Sequence, residues 1–301
     1  MTSPEHAPTP MASTATSPLT RVDIGEVQLA TRVLEGSSGQ LLLFIHGSLD
    51  DHHTWLPLTR ALAGTGHTMV VYDRRGHSAS TDVAGQGTIR QDADDAARLI
   101  ERLGLGRVHV VGHSYGAATA VLLAAEHPDL VASLYLHEPP AFALLTGRTE
   151  LEELKAQTGA VARESVALLD AGRVEEGTAY FVEEMAFGAG SWSELFDDQA
   201  RAVMMANSDT WLDQSRDPER LALDVTALNS FDGPVTFSVG SRTLPAFTAA
   251  TAEMLRLVPG ASGATIEGAG HGAPTTPPHP QAAAVRHHHA AGAGAPRPRG
   301  G

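Results

Sequence analysis

No cysteine occurs among the 301 residues, so nucleophilic chemistry here falls to serine, histidine and carboxylate side chains. Thiolate nucleophiles, disulfides and zinc–thiolate sites are excluded. The sharpest motif is Gly112-His113-Ser114-Tyr115-Gly116, a G-x-S-x-G pentapeptide. In a Gly-rich chain the five letters alone carry little, and a turn with an idle serine is the competing reading. Their setting carries more, because an apolar run from Val108 precedes them and an Ala-rich run to His127 follows. In a strand–turn–helix of this kind the serine backbone is strained, and neighbours without a Cβ let strand and helix approach. The hydroxyl then stands at the carboxyl end of a strand beside a helix N-terminus that favours negative charge, the placement that acyl transfer requires.

The elements that must hold this serine are read from periodicity. Arg21–Gly36 reads as two strands parted near Gly25, and Gln40–Gly47 as a nearly continuous apolar strand buried on both faces. Further strands are expected at Thr68–Asp73, Val108–Ser114, Val131–Glu138, Pro234–Gly240 and Ala264–His271. Helices are expected at Thr54–Ala63, Thr88–Leu103, Ala117–His127 and Leu244–Leu257. Alternating strands and helices imply right-handed crossovers and an α/β fold with a mostly parallel sheet. From Pro139 to Asp232 the pattern is helical only, with candidates at Glu150–Asp170, Val174–Phe187, Ser193–Ala206 and Asp217–Leu228. The expected organisation is a disordered tail over 1–19, core over 20–138, a helical cap inserted after the sixth strand over 139–232, and core again over 233–272. Residues 273–301, rich in Pro, Ala, Gly and His and poor in large apolar residues, read as a low-complexity tail.

Composition narrows the partners. Acidic residues outnumber basic ones 35 to 21, giving a net charge of −14 that argues against nucleic acid. No apolar run is long enough to span a bilayer, and the first residues lack a basic start and an apolar stretch. The expectation is a cytoplasmic protein that meets a small-molecule substrate, of unspecified oligomeric state. Asp50, Asp51, His52 and His53 mimic a metal cluster, but neighbours in one loop rarely converge on an ion, and no metal site is expected.

His46-Gly47 after a buried strand, the Gly112–Gly116 motif, a helical insertion and then Gly268-Ala269-Gly270-His271-Gly272 together resemble the α/β-hydrolase family over about Thr20 to His271. The resemblance implies that His271 is the general base and that no cofactor is needed. It implies an oxyanion hole from the N–H groups of Tyr115 and Ser48, and a structural role for Asp73 and Arg75 in the loop after the fourth strand. Family members often carry an aspartate three residues beyond a glycine after the post-cap strand; here Gly240-Ser241-Arg242-Thr243 has none. Asp232 lies at the wrong end of that strand, and Glu267 lies within the last one. Glu138, ending the strand that follows the elbow helix, is the candidate acid, with a hinge or capping role as the alternative. His46, Met185, Phe187, Trp192 and Trp211 are candidate pocket residues. The implied activity is hydrolysis of an ester-like bond in a small, largely apolar substrate. Cofactor-free perhydrolases and carbon–carbon bond hydrolases of the family share the triad, and serine at the elbow argues against epoxide hydrolase or dehalogenase chemistry. A non-catalytic binding protein is the reading that the missing acid at Thr243 supports. The family usually closes with an amphipathic helix, and none is legible here, which would leave sheet surface uncovered.

Overall fold

The computed structural model describes residues 17–273 and, beyond them, Ala282, Val285 and His288. Eight strands form one sheet: β1 Thr20–Asp23, β2 Gln28–Leu34, β3 Leu41–Ile45, β4 Thr68–Tyr72, β5 Val108–His113, β6 Val131–His137, β7 Val235–Gly240 and β8 Ser262–Ile266. Their order is β1-β2-β4-β3-β5-β6-β7-β8, with β1 and β2 antiparallel to their neighbours and the rest parallel. The first seven strands lie within a few residues of their sequence-read positions; the last ends at Ile266, which places Glu267 and His271 in the loop after it rather than in the strand.

Alternation along β3 sends its side chains into two cores. Leu43 and Ile45 join the face covered by α2 (Ile89–Arg102), α3 (Tyr115–Glu126) and, at its edge, α10 (Pro245–Leu257). Leu42 and Phe44 join the other face, under α1 (Leu56–Leu62) and the tilted Phe44–Trp55 ring pair, 5.2 Å apart. Burial on both faces is what a parallel strand demands, and it explains the unbroken apolar run. Thr88 caps α2 through a reciprocal box with Gln91, which fixes the start of the helix.

The second core corrects the reading of the C-terminal stretch. Ala282, Val285 and His288, three residues apart, are helical and buried, and Ala282 and Val285 pack in the Leu42–Phe44–Trp55 core. His288 Nδ1 lies 2.8 Å from Thr236 Oγ1. Small residues at helical spacing suffice where a sheet face is already crowded with large ones. The rest of that stretch, including His287 and His289, and the N-terminal tail through Thr16 lie outside the described residues.

Between β6 and β7 the chain is helical, as expected for a cap, though it is cut differently. The helices are α4 Glu152–Asp170, α5 Val174–Phe181, α6 Ser191–Glu194, α7 Asp198–Ala206, α8 Ser208–Arg216 and α9 Pro218–Leu221. A π-helical turn, Val182–Phe187, follows α5. The cap has its own core around Phe181, Trp192, Met204 and Trp211. No helix among the described residues is long and apolar enough to cross a membrane.

Candidate active site

Ser114 sits between β5 and α3 with φ 53° and ψ −123°, and its N–H donates to the His137 carbonyl at 2.8 Å. Its side chain makes no capping bond to the helix it starts. The two glycines are steric necessities. A Cβ on Gly116 would meet the Ile45 carbonyl oxygen at 2.2 Å, and one on Gly112 would meet Ala117 Cα at 2.6 Å. Among the described residues the non-glycine positions at positive φ are Leu49, Ser78, Ser114 and Glu138, and they belong to the loops at this end of the sheet. Strain of this kind persists only where surroundings over-determine it, and it gathers at functional sites.

Glu138 follows β6 and is fully buried. Its Oε1 accepts from Gly240 N at 2.7 Å; its Oε2 accepts from Thr243 Oγ1 at 2.8 Å and from His271 Nδ1 at 2.6 Å. Burial opposes ionisation of this carboxyl, but the His271 bond, nearby His137 and the Gly240 N–H outweigh it and bring the pKa down to about 2. Thr243, the position where an acid was missing, donates to the Glu138 carboxylate. The His271 ring lies between Phe247, stacked at 4.2 Å, and His113 at 4.7 Å. His113 Nε2 also donates to the His271 carbonyl at 2.8 Å, fixing the loop. With Nδ1–H given to Glu138, the Nε2 of His271 is the proton acceptor. Ser114, His271 and Ser48 line one small cavity with a free volume of about 10 Å³.

The loop after β3 is braced by a network that sequence reading missed. Buried Arg74 donates to the carbonyls of His46 (3.2 Å) and Gly47 (3.0 Å), to Asp92 (2.9 Å) and to His77 Nε2 (3.0 Å). Its guanidinium also lies 4.5 Å from the Tyr115 ring, whose hydroxyl donates to Asp92 at 2.9 Å. Tyr115 is the first residue of α3, so its own N–H has no intrahelical acceptor. Asp73 accepts from His52 N and Nδ1 and from Ala79 N, and Arg75 grips Asp95 with two bonds of 2.7 Å; both organise the loops, with no contact to Ser114. Only a buried arginine with four acceptors would have signalled Arg74, and the adjacent Arg75 hides it.

From the cap, Asn207 Nδ2 donates to the carbonyls of Leu49 (3.0 Å) and Asp50 (3.1 Å), while its Oδ1 accepts from Ser78 N (3.0 Å). The Ser48 hydroxyl donates to Gln214 of α8. The cap thus grips the loop that carries Ser48.

The candidate pocket residues separate. Met185 lines the cavity with Ser114. Phe187, edge-on to His271 at 5.6 Å, lines a second, larger cleft of about 480 Å³ together with Asp50, His113, Phe196 and Met204. His46 does not line either space: it is fully buried, its Nδ1–H donates to Gly47 O and its Nε2 accepts from Arg74 N. Burial first, then Arg74 and His77, push its pKa well down, so it is a neutral strut. Trp192 and Trp211 belong to the cap core, where Trp211 Nε1 donates to Ser165 at 3.1 Å; a large ring with one N–H is best satisfied there. Asp51, His52 and His53 do present ligand atoms within 4.8 Å of one another. His52 is nevertheless tied to Asp73 and His53 to Asp51, and the group reads as a hydrogen-bonded loop. Asp50, on the cleft wall, is held up at about 7 by burial and by the adjacent Asp51 charge.

A family model described as the alpha/beta hydrolase fold matches residues 40–157. Over 114 residues the chain is 41% identical to 2-(acetamidomethylene)succinate hydrolase of Mesorhizobium japonicum, covering 38% of this chain and 40% of that protein. Over 118 residues it is 36% identical to a fluoroacetate dehalogenase of Burkholderia sp., covering 38% of each. The chain thus spans about two fifths of the length of these relatives. A thermophilic esterase of Thermogutta terrifontis superposes with a TM-score of 0.66 at 23% identity, over 91% of this chain and 95% of that one, a likeness of fold. Sheet order, elbow and helical insertion agree with these likenesses: the chain has the α/β-hydrolase fold.

Proposed function

We propose that the chain is a serine hydrolase that cleaves an ester-like bond of a small, largely apolar substrate through an acyl-enzyme on Ser114. The observation that carries this reading is the 2.6 Å bond from His271 Nδ1 to Glu138, with the same imidazole lining the cavity of Ser114. Glu138 holds the tautomer whose Nε2 takes the Ser114 proton and stabilises the imidazolium that forms. Ser114 Oγ attacks the carbonyl, and the N–H groups of Tyr115 and Ser48 receive the developing oxyanion. His271 then protonates the departing alcohol, and water, activated by the same base, releases the acid. Apolar cap side chains, Phe181 and Met185 among them, favour a largely apolar substrate. The names of relatives, a succinate-derivative hydrolase and an esterase, accord with hydrolysis.

A fluorophosphonate probe tests this. Wild type should label on Ser114 and turn over 4-nitrophenyl esters, and Ser114→Ala should do neither. A folded wild-type protein that does not label would remove the reading.

A further inference from the structure

The cavity at Ser114 contains a cation that the mechanism above does not use. Arg220 of α9 lines it together with Ser48, His271, Phe142, Phe181 and Met185, and no carboxylate lines it. Among the described residues, Arg220 Nε is buried without a hydrogen-bond partner, and no acid forms an ion pair with the guanidinium. Asp217, the acid whose charge favours the guanidinium, is spent elsewhere: Oδ2 accepts from Ile89 N at 2.6 Å and Oδ1 from Glu219 N at 3.0 Å. Arg220 is otherwise in contact with the Trp211 ring, at 5.5 Å.

Arg220 is half-buried, but its Nε–H is shut away from water, and a buried charged donor without an acceptor is costly unless something in the functional state pairs it. Arg74 and Arg75, by contrast, are paired, with Asp92 and Asp95; Arg32 Nε is also buried without a partner, but among the described residues Arg220 is the arginine that lines the Ser114 cavity. The position of Arg220 is also fixed, since Asp217 caps α9 and ties its start to the first N–H of α2. We propose that Arg220 anchors a carboxylate borne by the substrate on a short apolar arm, while the scissile carbonyl lies at Ser114. The inference rests on the serine-hydrolase reading and adds the substrate class. A planar fork of N–H donors matches a carboxylate in two bonds, a geometry lysine does not offer. Burial presses the Arg220 pKa down, and a bound anion would reverse that pressure. The free volume of about 10 Å³ holds one water, so the ligand enters by displacing Met185, an unbranched side chain suited to repacking.

The test compares the 4-nitrophenyl monoester of glutaric acid with 4-nitrophenyl pentanoate, an uncharged ester of equal carbon count. Wild type should favour the glutarate ester in kcat/KM. That preference should fall about 30-fold in Arg220→Gln and partly persist in Arg220→Lys, with melting curves confirming that both variants fold. Calorimetric titration with glutarate should show saturable binding to wild type and none to Arg220→Gln. A wild-type preference for pentanoate, or an equal loss on both esters with the ratio unchanged, overturns the proposal. If wild type neither labels with fluorophosphonate nor turns over either ester, the hydrolase reading fails. The titration then decides the anchor alone: binding that depends on Arg220 sustains it, and its absence ends it.

Discussion

The space around His271 is divided into two compartments of opposite character. The inner one, at Ser114, is tight, apolar and lined by a single cation; the outer one, beyond Phe187, is roomy and lined by Asp50, Asp51 and Asp197 with no Lys or Arg. Their carboxylates differ as well. Glu138, behind His271, has three hydrogen-bond donors and a pKa of about 2, whereas Asp50 on the outer wall is held at about 7. The more deeply buried of the two is the one that stays charged, so hydrogen-bond donors outweigh depth here.

Four substitutions break or sharpen that contrast. The largest effect is expected for Ser114→Ala, a loss of kcat of about 10⁴-fold or more measured with 4-nitrophenyl esters. Glu138→Gln follows, about 10³-fold in kcat, because the amide favours the wrong imidazole tautomer. Glu138 also sets an acid limit: its folded pKa lies below the usual value of 4.5, so the stability it contributes is complete above that pH and lost as pH falls from about 4.5 to about 2. The variant should lack that segment of the melting-temperature profile.

Asp50→Asn should act with the reverse sign. Asp50 titrates near 7 folded against an ordinary 3.8, so the unfolded chain releases its proton first and stability falls between pH 4 and 7, then levels. The variant should match wild type at pH 4 and exceed it at pH 8 by about 2–4 kcal/mol in denaturant titrations. Equal profiles would show that the outer carboxylate is solvated and the contrast overstated. The smallest effect is expected for Phe187→Ala, which joins the compartments. The preferred acyl length in an ester series should shift upward, with kcat/KM for the shortest esters falling about threefold to tenfold.

Much of this arrangement was legible in the sequence. The parallel strands were set by nearly unbroken apolar runs, which burial on both faces requires, and the elbow by two glycines flanking a serine between strand and helix. Glu138 was legible as the acid ending a strand at the right sheet edge, and its bonds to His271 and Thr243 now give it geometry. The closing segment was not legible, because Ala282, Val285 and His288 lack the bulk that marks an amphipathic face. Cap boundaries were blurred by short helices and by the π turn, which shift the period within Val174–Phe187. Arg74, Asn207 and Arg220 were invisible for one reason: each owes its role to partners distant in sequence, which periodicity does not register.

The grip of Asn207 and Gln214 on the Leu49–Asp50 loop ties two events together. Lifting α8 from the core breaks those bonds, and Leu49, held at φ 64°, loses what keeps it there. On the proposed mechanism, Ser48 would then lose the fixed position from which its N–H meets an oxyanion. The same contacts that seat the cap would thus act as a safety catch on Ser114, tying its reactivity to the cap's being in place.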